Sequence, residues 1–177
     1  MGGAVVFTSI TSGEKFGMSQ QPLRVLFVCL GNICRSPLAE VVVKAVAEEK
    51  GIAHLFHFES AGTGSWHVGG GADPRSASKA LEKGLSLAHH RAQQITQHHI
   101  GDWDVFVAMD SDNRRSLIAL GAEPEKIIMM RDFEGITPAP DVPDPYYGGE
   151  HGFEDAYQML RRNAHGLLDY LVEYHVR

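Results

Sequence analysis

Cys29 and Arg35 stand six positions apart in the run Cys29-Leu30-Gly31-Asn32-Ile33-Cys34-Arg35-Ser36-Pro37. A thiolate is a strong nucleophile, and a guanidinium is a planar fork that grips two oxygens of a phosphoryl group. Gly31 and Asn32 between them are residue types that tolerate left-handed backbone, as a tight loop requires. The apolar stretch Leu23–Val28 ahead of the run reads as a strand, and Ser36 or Pro37 suits the start of a helix. A short loop entering a helix gathers backbone N–H groups into one concavity, and the helix dipole adds positive potential there. Leu30, Gly31, Asn32, Ile33, Cys34 and Ser36 are thus expected to cradle a tetrahedral oxyanion above Cys29, with Arg35 closing over it. Amides, dipole and guanidinium all favour the thiolate, and Ser36 is placed to donate a hydrogen bond to the sulfur. A lone cysteine at a strand end is usually a small buried hydrophobe. Gly, Asn, Arg, Ser and Pro in register around it point instead to chemistry.

A thiolate alone leaves the departing group without a proton. A phenolate, whose parent phenol has a pKa of about 10, gains roughly 10²–10⁴-fold from a general acid. Asp144, between Pro143 and Pro145, sits on stiff, extended backbone and is the candidate, with Asp141 as the competing carboxylate. Tyr146 and Tyr147 follow in a glycine-bounded loop and could flank an aromatic substrate. Trp66, in the glycine-rich stretch from Gly62 to Pro74, could close the opposite wall.

These loops need a scaffold. The 177 residues suit one domain against a norm of about 150. Strands are expected at Leu23–Cys29, Leu55–Glu59, Asp104–Met109 and Lys126–Met130. Helices are expected over Leu38–Glu49, from Asp110 or Ser111 to Leu120, and in the C-terminal segment, where Phe153, Ala156, Tyr157, Leu160, Ala164, Leu167, Leu168 and Leu171 recur at helical spacing. In the first of these, Glu40, Lys44 and Glu48 form a polar stripe. Strands alternating with helices give a doubly wound α/β sheet, four-stranded and parallel, which binds ligands beyond the carboxyl ends of its strands. Residues 1–22 read as an extension expected to be poorly ordered, followed by a single domain over 23–177. The extension lacks the basic flank of a secretory signal.

Composition excludes other classes. A net charge of −6 gives no basic surface for nucleic acid. No apolar run approaches the roughly 18 residues of a membrane span, so insertion is not expected. Two cysteines make neither a disulfide scaffold nor an all-cysteine zinc site, and the ten histidines show no zinc spacing. No metal or cofactor is expected. His89, His98 and His99 read as surface histidines.

The run Val28–Pro37, together with Glu59-Ser60-Ala61-Gly62-Thr63, His90-Arg91-Ala92, Met109-Asp110 and Asp144-Pro145-Tyr146-Tyr147-Gly148-Gly149, resembles the low-molecular-weight protein tyrosine phosphatases from Leu23 onward. The resemblance implies a sheet of strand order 2-1-3-4 and a cytoplasmic, metal-free enzyme acting on phosphotyrosine proteins and small aryl phosphates, opposite a cognate tyrosine kinase. It implies that Cys29 forms a phosphocysteine, that Arg35 binds the phosphoryl group, and that Asp144 serves as acid and then base. It also implies that Asn32, Ser36, Ser60 and His90 form a network holding the loop. Cys34 would be the partner in a protective disulfide. Ala88 and Gln93 stand where relatives often carry Ser and Arg, and Gly69-Gly70-Gly71 loosens the loop after Trp66.

Rival readings differ at nameable residues. Related arsenate reductases pass oxidation to later cysteines, and none follows Cys34. Protein arginine phosphatases of the same family carry Thr at the position of Ile33 and lack the paired tyrosines. A sugar-phosphotransferase subunit with a cysteine loop would leave Arg35 and Asp144 without a task. A non-catalytic phosphate-binding module would be expected to have lost Cys, Arg or Asp, and all three are present.

Overall fold

The computed structural model describes residues 21–149 and 151–176. All of the proposed extension but Gln21 and Pro22 lies outside the described residues. Four strands, β1 (Leu23–Cys29), β2 (Phe56–Gly62), β3 (Val105–Ala108) and β4 (Ile127–Met129), form one parallel sheet in the order β2-β1-β3-β4. The helices are α1 (Arg35–Glu49), α2 (Pro74–Glu82), α3 (Ser111–Ala119) and α4 (His151–Tyr174).

The central strand explains the architecture. Side chains alternate across a strand, so β1 must find apolar cover on both faces. Val25, Phe27 and Cys29 face the larger core, built with α1, α2 and α4, whereas Leu26 and Val28 face a smaller core with Leu117 of α3, Phe106 and Ile95. Phe27 and Leu26 are almost wholly buried, which stabilises the fold by about 1.5–3 kcal/mol each. On α4, Phe153, Ala156, Leu160, Ala164, Leu167, Leu168 and Leu171 are buried, as their spacing predicts. No helix among the described residues is long and apolar enough to cross a membrane.

Several local expectations shift. Leu55 closes a 3₁₀ turn, and β2 runs on to Gly62. Helix α1 begins at Arg35 itself. Helix α2 was not anticipated, although Asp73 caps it by accepting from Arg75 N at 2.8 Å and Pro74 opens it. Asn32 alone in the first loop takes the left-handed conformation, at φ 56°. Gly31 does not; it is small because a Cβ there would lie 3.1 Å from the His67 ring. Gly62 admits the loop in the same way, since a Cβ would stand 2.7 Å from the carbonyl oxygen of Leu30.

Candidate active site

Strand β1 delivers Cys29 to the carboxyl edge of the sheet, buried and 3.0 Å from Ser36 Oγ. Asn32, fully buried, holds the loop from inside. Its Nδ2 donates to Ser36 Oγ at 2.8 Å and to Ser60 Oγ at 3.0 Å. Its Oδ1 accepts from Gln93 N at 2.9 Å, and its carbonyl lies 2.7 Å from His90 Nε2. Burial pushes the His90 imidazole below its ordinary range, outweighing the bond to Asn32, so a neutral ring donates its Nε2 proton to that carbonyl. Because Ser36 Oγ accepts from Asn32, its own proton is available to the sulfur.

Arg35 turns back over the loop with its side chain only 3% exposed. Nη1 donates to Asp110 Oδ2 at 2.7 Å and to the Val142 carbonyl at 2.9 Å, and Nη2 stands 3.4 Å from Asp144 Oδ2. Burial opposes the charge, but Cys29, Asp110 and Asp144 outweigh it and hold the guanidinium firmly protonated. Asp144 Oδ1 accepts from Tyr146 N at 3.0 Å, which fixes the carboxylate at the start of the turn Pro145–Tyr147. Asp141 is occupied elsewhere, accepting from Ser111 N at 2.9 Å.

A cavity of about 500 Å³ opens above the loop. Cys29, Arg35 and Asp144 share its floor and one side, with Leu30, Gly31, Ile33 and Cys34; Trp66, Tyr146 and Tyr147 form the walls. Trp66 is 71% exposed and Tyr147 82% exposed, so both rings face solvent at the mouth. A Cβ at Gly64 would overlap the Trp66 ring, so the indole lies across a glycine that makes room for it.

The chain matches the family model described as "Low molecular weight phosphotyrosine protein phosphatase" over residues 24–176. It belongs to that family. A low molecular weight protein-tyrosine-phosphatase of Streptomyces coelicolor is 43% identical over 150 residues, covering 82% of this chain and 91% of the relative. The crystal structure of a protein tyrosine phosphatase from Entamoeba histolytica, with Hepes in its active site, superposes with a TM-score of 0.79 at 37% identity. That match covers 85% of this chain and 97% of the other. A mutant of the YwlE arginine phosphatase with a phosphorylated active-site serine superposes with a TM-score of 0.77 at 25% identity, covering 86% of this chain and 98% of the other.

In this phosphatase-family chain the structure also brings in residues that sequence reasoning left aside. Glu40, expected on a polar stripe, accepts from Ser60 Oγ at 2.7 Å; burial pushes its carboxyl above the ordinary range. Arg75 ties two loops together. It forks onto Asp73 at 2.8 and 3.0 Å, lies 5.3 Å from the Tyr146 ring centre, and donates to the Tyr146 carbonyl at 3.3 Å. Asp73 N in turn donates to the Ile33 carbonyl at 2.8 Å, and Ser76 Oγ to that of Cys34 at 3.1 Å. The N-terminus of α2 thus joins the phosphate loop to the loop of Asp144. Its sequence signal was the Asp-Pro-x-Ser pattern of a helix start. Asp110, which caps α3 through Asn113, was legible as a cap but not as the partner of Arg35.

Proposed function

We propose that the protein hydrolyses phosphotyrosine in proteins and peptides, and small aryl phosphates, through a phosphocysteine. The observation that carries this reading is that Cys29, Arg35 and Asp144 open onto one cavity walled by aromatic rings. The phosphoryl oxygens accept from the loop amides and the Arg35 fork, where charge spreads as the transition state forms. The sulfur of Cys29 bonds to phosphorus as the bond from phosphorus to the tyrosine oxygen breaks, and Asp144 gives that oxygen its proton. Water then attacks phosphorus, passing its proton to the Asp144 carboxylate. The sulfur–phosphorus bond breaks and returns its electron pair to sulfur, which Ser36 receives with a hydrogen bond.

Asn32, Ser60 and His90 hold the loop in shape, and Trp66, Tyr146 and Tyr147 flank the substrate ring. A tyrosine kinase must supply the substrate. A working thiolate fits a reducing compartment, so the cytoplasm is the proposed location. Cys34, which lines the same cavity, is the proposed partner in a disulfide that shelters Cys29 from over-oxidation.

Phosphoarginine is the second reading. Ile33 and the paired tyrosines line the cavity and favour an aryl ester over a guanidinium group. Parallel kinetics on phosphotyrosine, phosphoserine and phosphoarginine peptides, with Cys29→Ser as the blank, test the assignment. Cys29-dependent turnover of the phosphotyrosine peptide is expected to dominate. Dominant phosphoarginine turnover would replace the reading, and activity retained by Cys29→Ser would end it.

A further inference from the structure

A second groove, of about 480 Å³, adjoins the cavity of Cys29 and shares Ile33, Trp66, His67 and Tyr146 with it. Beyond this shared wall it is lined by Val68, Gly70, Gly71, Ala72, Asp73 and Pro74. The aryl phosphate mechanism has no use for it.

Two features mark it as a place for main chain. Among the described residues, neither the N–H nor the C=O of Gly71 or Ala72 makes a hydrogen bond, and Gly71 is exposed, so these groups can trade water for the main chain of a partner. Gly71 also has no conformational reason to be glycine. Its φ lies outside the left-handed region, and a Cβ there would meet only Arg91 Nη1, at 3.9 Å. Glycine here leaves bare backbone that another chain can approach closely. The side-chain character follows from the walls. Trp66 and Val68 present 71% and 58% of their surfaces, with Pro74 and Tyr146 opposite, while Asp73 is neutralised by Arg75. An aliphatic side chain finds apolar cover between these walls.

We propose that this groove is the subsite for the residue flanking phosphotyrosine in the peptide substrate. The peptide pairs its main chain with Gly71 and Ala72 and places an aliphatic side chain between Trp66, Val68 and Pro74. Strand-like pairing of this kind supplies affinity through the backbone and specificity through the pocket. The inference rests on the phosphotyrosine reading above.

The test uses the full chain and phosphotyrosine peptides carrying Leu, Ala or Glu at each of the two positions on either side of the phosphotyrosine. p-Nitrophenyl phosphate serves as the reference. Leu is expected to raise kcat/KM over Ala and over Glu about threefold to tenfold at one position. Val68→Asp is expected to erase the Leu preference and leave p-nitrophenyl phosphate turnover unchanged. N-methylation of the peptide backbone beside the preferred position is expected to lower kcat/KM with the unaltered enzyme, which keeps the test independent of any variant. Equal rates for Leu and Ala at all four positions overturn the proposal, as does a preference that survives Val68→Asp or indifference to N-methylation. Hydrolysis of p-nitrophenyl phosphate with no turnover of any phosphotyrosine peptide overturns the phosphotyrosine reading itself, and the subsite with it.

Discussion

Arg35 and Asp110 form an ion pair at 2.7 Å in which the side chains are only 3% and 18% exposed. The pair sets the guanidinium over the phosphate loop and points its second nitrogen at Asp144. Removing one partner of such a pair leaves a buried charge uncompensated. Asp110→Asn keeps a residue type suited to capping α3 and deletes only the charge. It is expected to cost about 2–4 kcal/mol in urea unfolding and to weaken inhibition by inorganic phosphate about tenfold. Unchanged phosphate inhibition would show that Asp110 serves the helix alone.

The proposed role of Asp144 as general acid predicts that substrates separate by their leaving groups. Asp144→Ala is expected to slow phosphotyrosine hydrolysis by about 10²–10⁴-fold and p-nitrophenyl phosphate hydrolysis far less, since p-nitrophenolate departs without a proton. Asp141→Asn, which disturbs a carboxylate bonded to Ser111, is expected to leave both rates near the unaltered values. Equal losses on both esters for Asp144→Ala would remove its role as acid.

Ser36 lies 3.0 Å from the Cys29 sulfur, which in the proposed mechanism departs as an anion in the second step. Loss of a hydrogen bond to a charged atom costs about 1.5–3 kcal/mol, or roughly 10–100-fold in rate. Ser36→Ala is therefore expected to slow phosphocysteine hydrolysis selectively and to produce a burst of p-nitrophenol in rapid-mixing experiments. A steady-state loss without a burst would place the effect in the first step.

His90 gives the stability a pH signature. Its folded-state pKa is depressed below the ordinary 6.5 by burial, so the unfolded chain binds the proton first. Stability is full above pH 6.5, declines as pH falls toward the depressed value, and is level again below it. His90→Gln is expected to flatten that stretch of a urea-midpoint profile; an unaltered slope would assign it to another group.

Burial and the neighbouring Asp73 push the Cys34 thiol well above its ordinary range, so it remains protonated at neutral pH. Iodoacetate is expected to label Cys29 alone in the folded protein and both cysteines after unfolding, as read by peptide mass spectrometry. Label on Cys34 before unfolding would contradict this.

What the sequence disclosed follows the range of the interactions. Strand β1, the loop from Cys29 to Ser36 and helix α4 carry their signal in residue types a few positions apart, and those patterns announced them. Fold class was legible in the alternation of strands and helices, whereas the strand order came with the family resemblance. Glu40 with Ser60, Asp110 with Arg35, and Arg75 with Tyr146 pair residues 20 to 75 positions apart, and no local pattern encodes such meetings. Glu40 shows the cost of relying on periodicity: a carboxylate at polar spacing became a half-buried acceptor because β2 brings Ser60 against α1. Gly62 and Gly64 were read as loop composition, yet each is small because a specific group crosses it.

Cys29 continues the row begun by Val25 and Phe27 on the face of β1 turned toward α1 and α4. A slip of that strand by one residue would turn Val28 toward α1 and α4 and sink the sulfur into the opposite layer. The register that seals the larger core is therefore the one that sets Cys29 3.0 Å from Ser36 Oγ. A chain whose first strand has missed its register holds that sulfur away from Ser36.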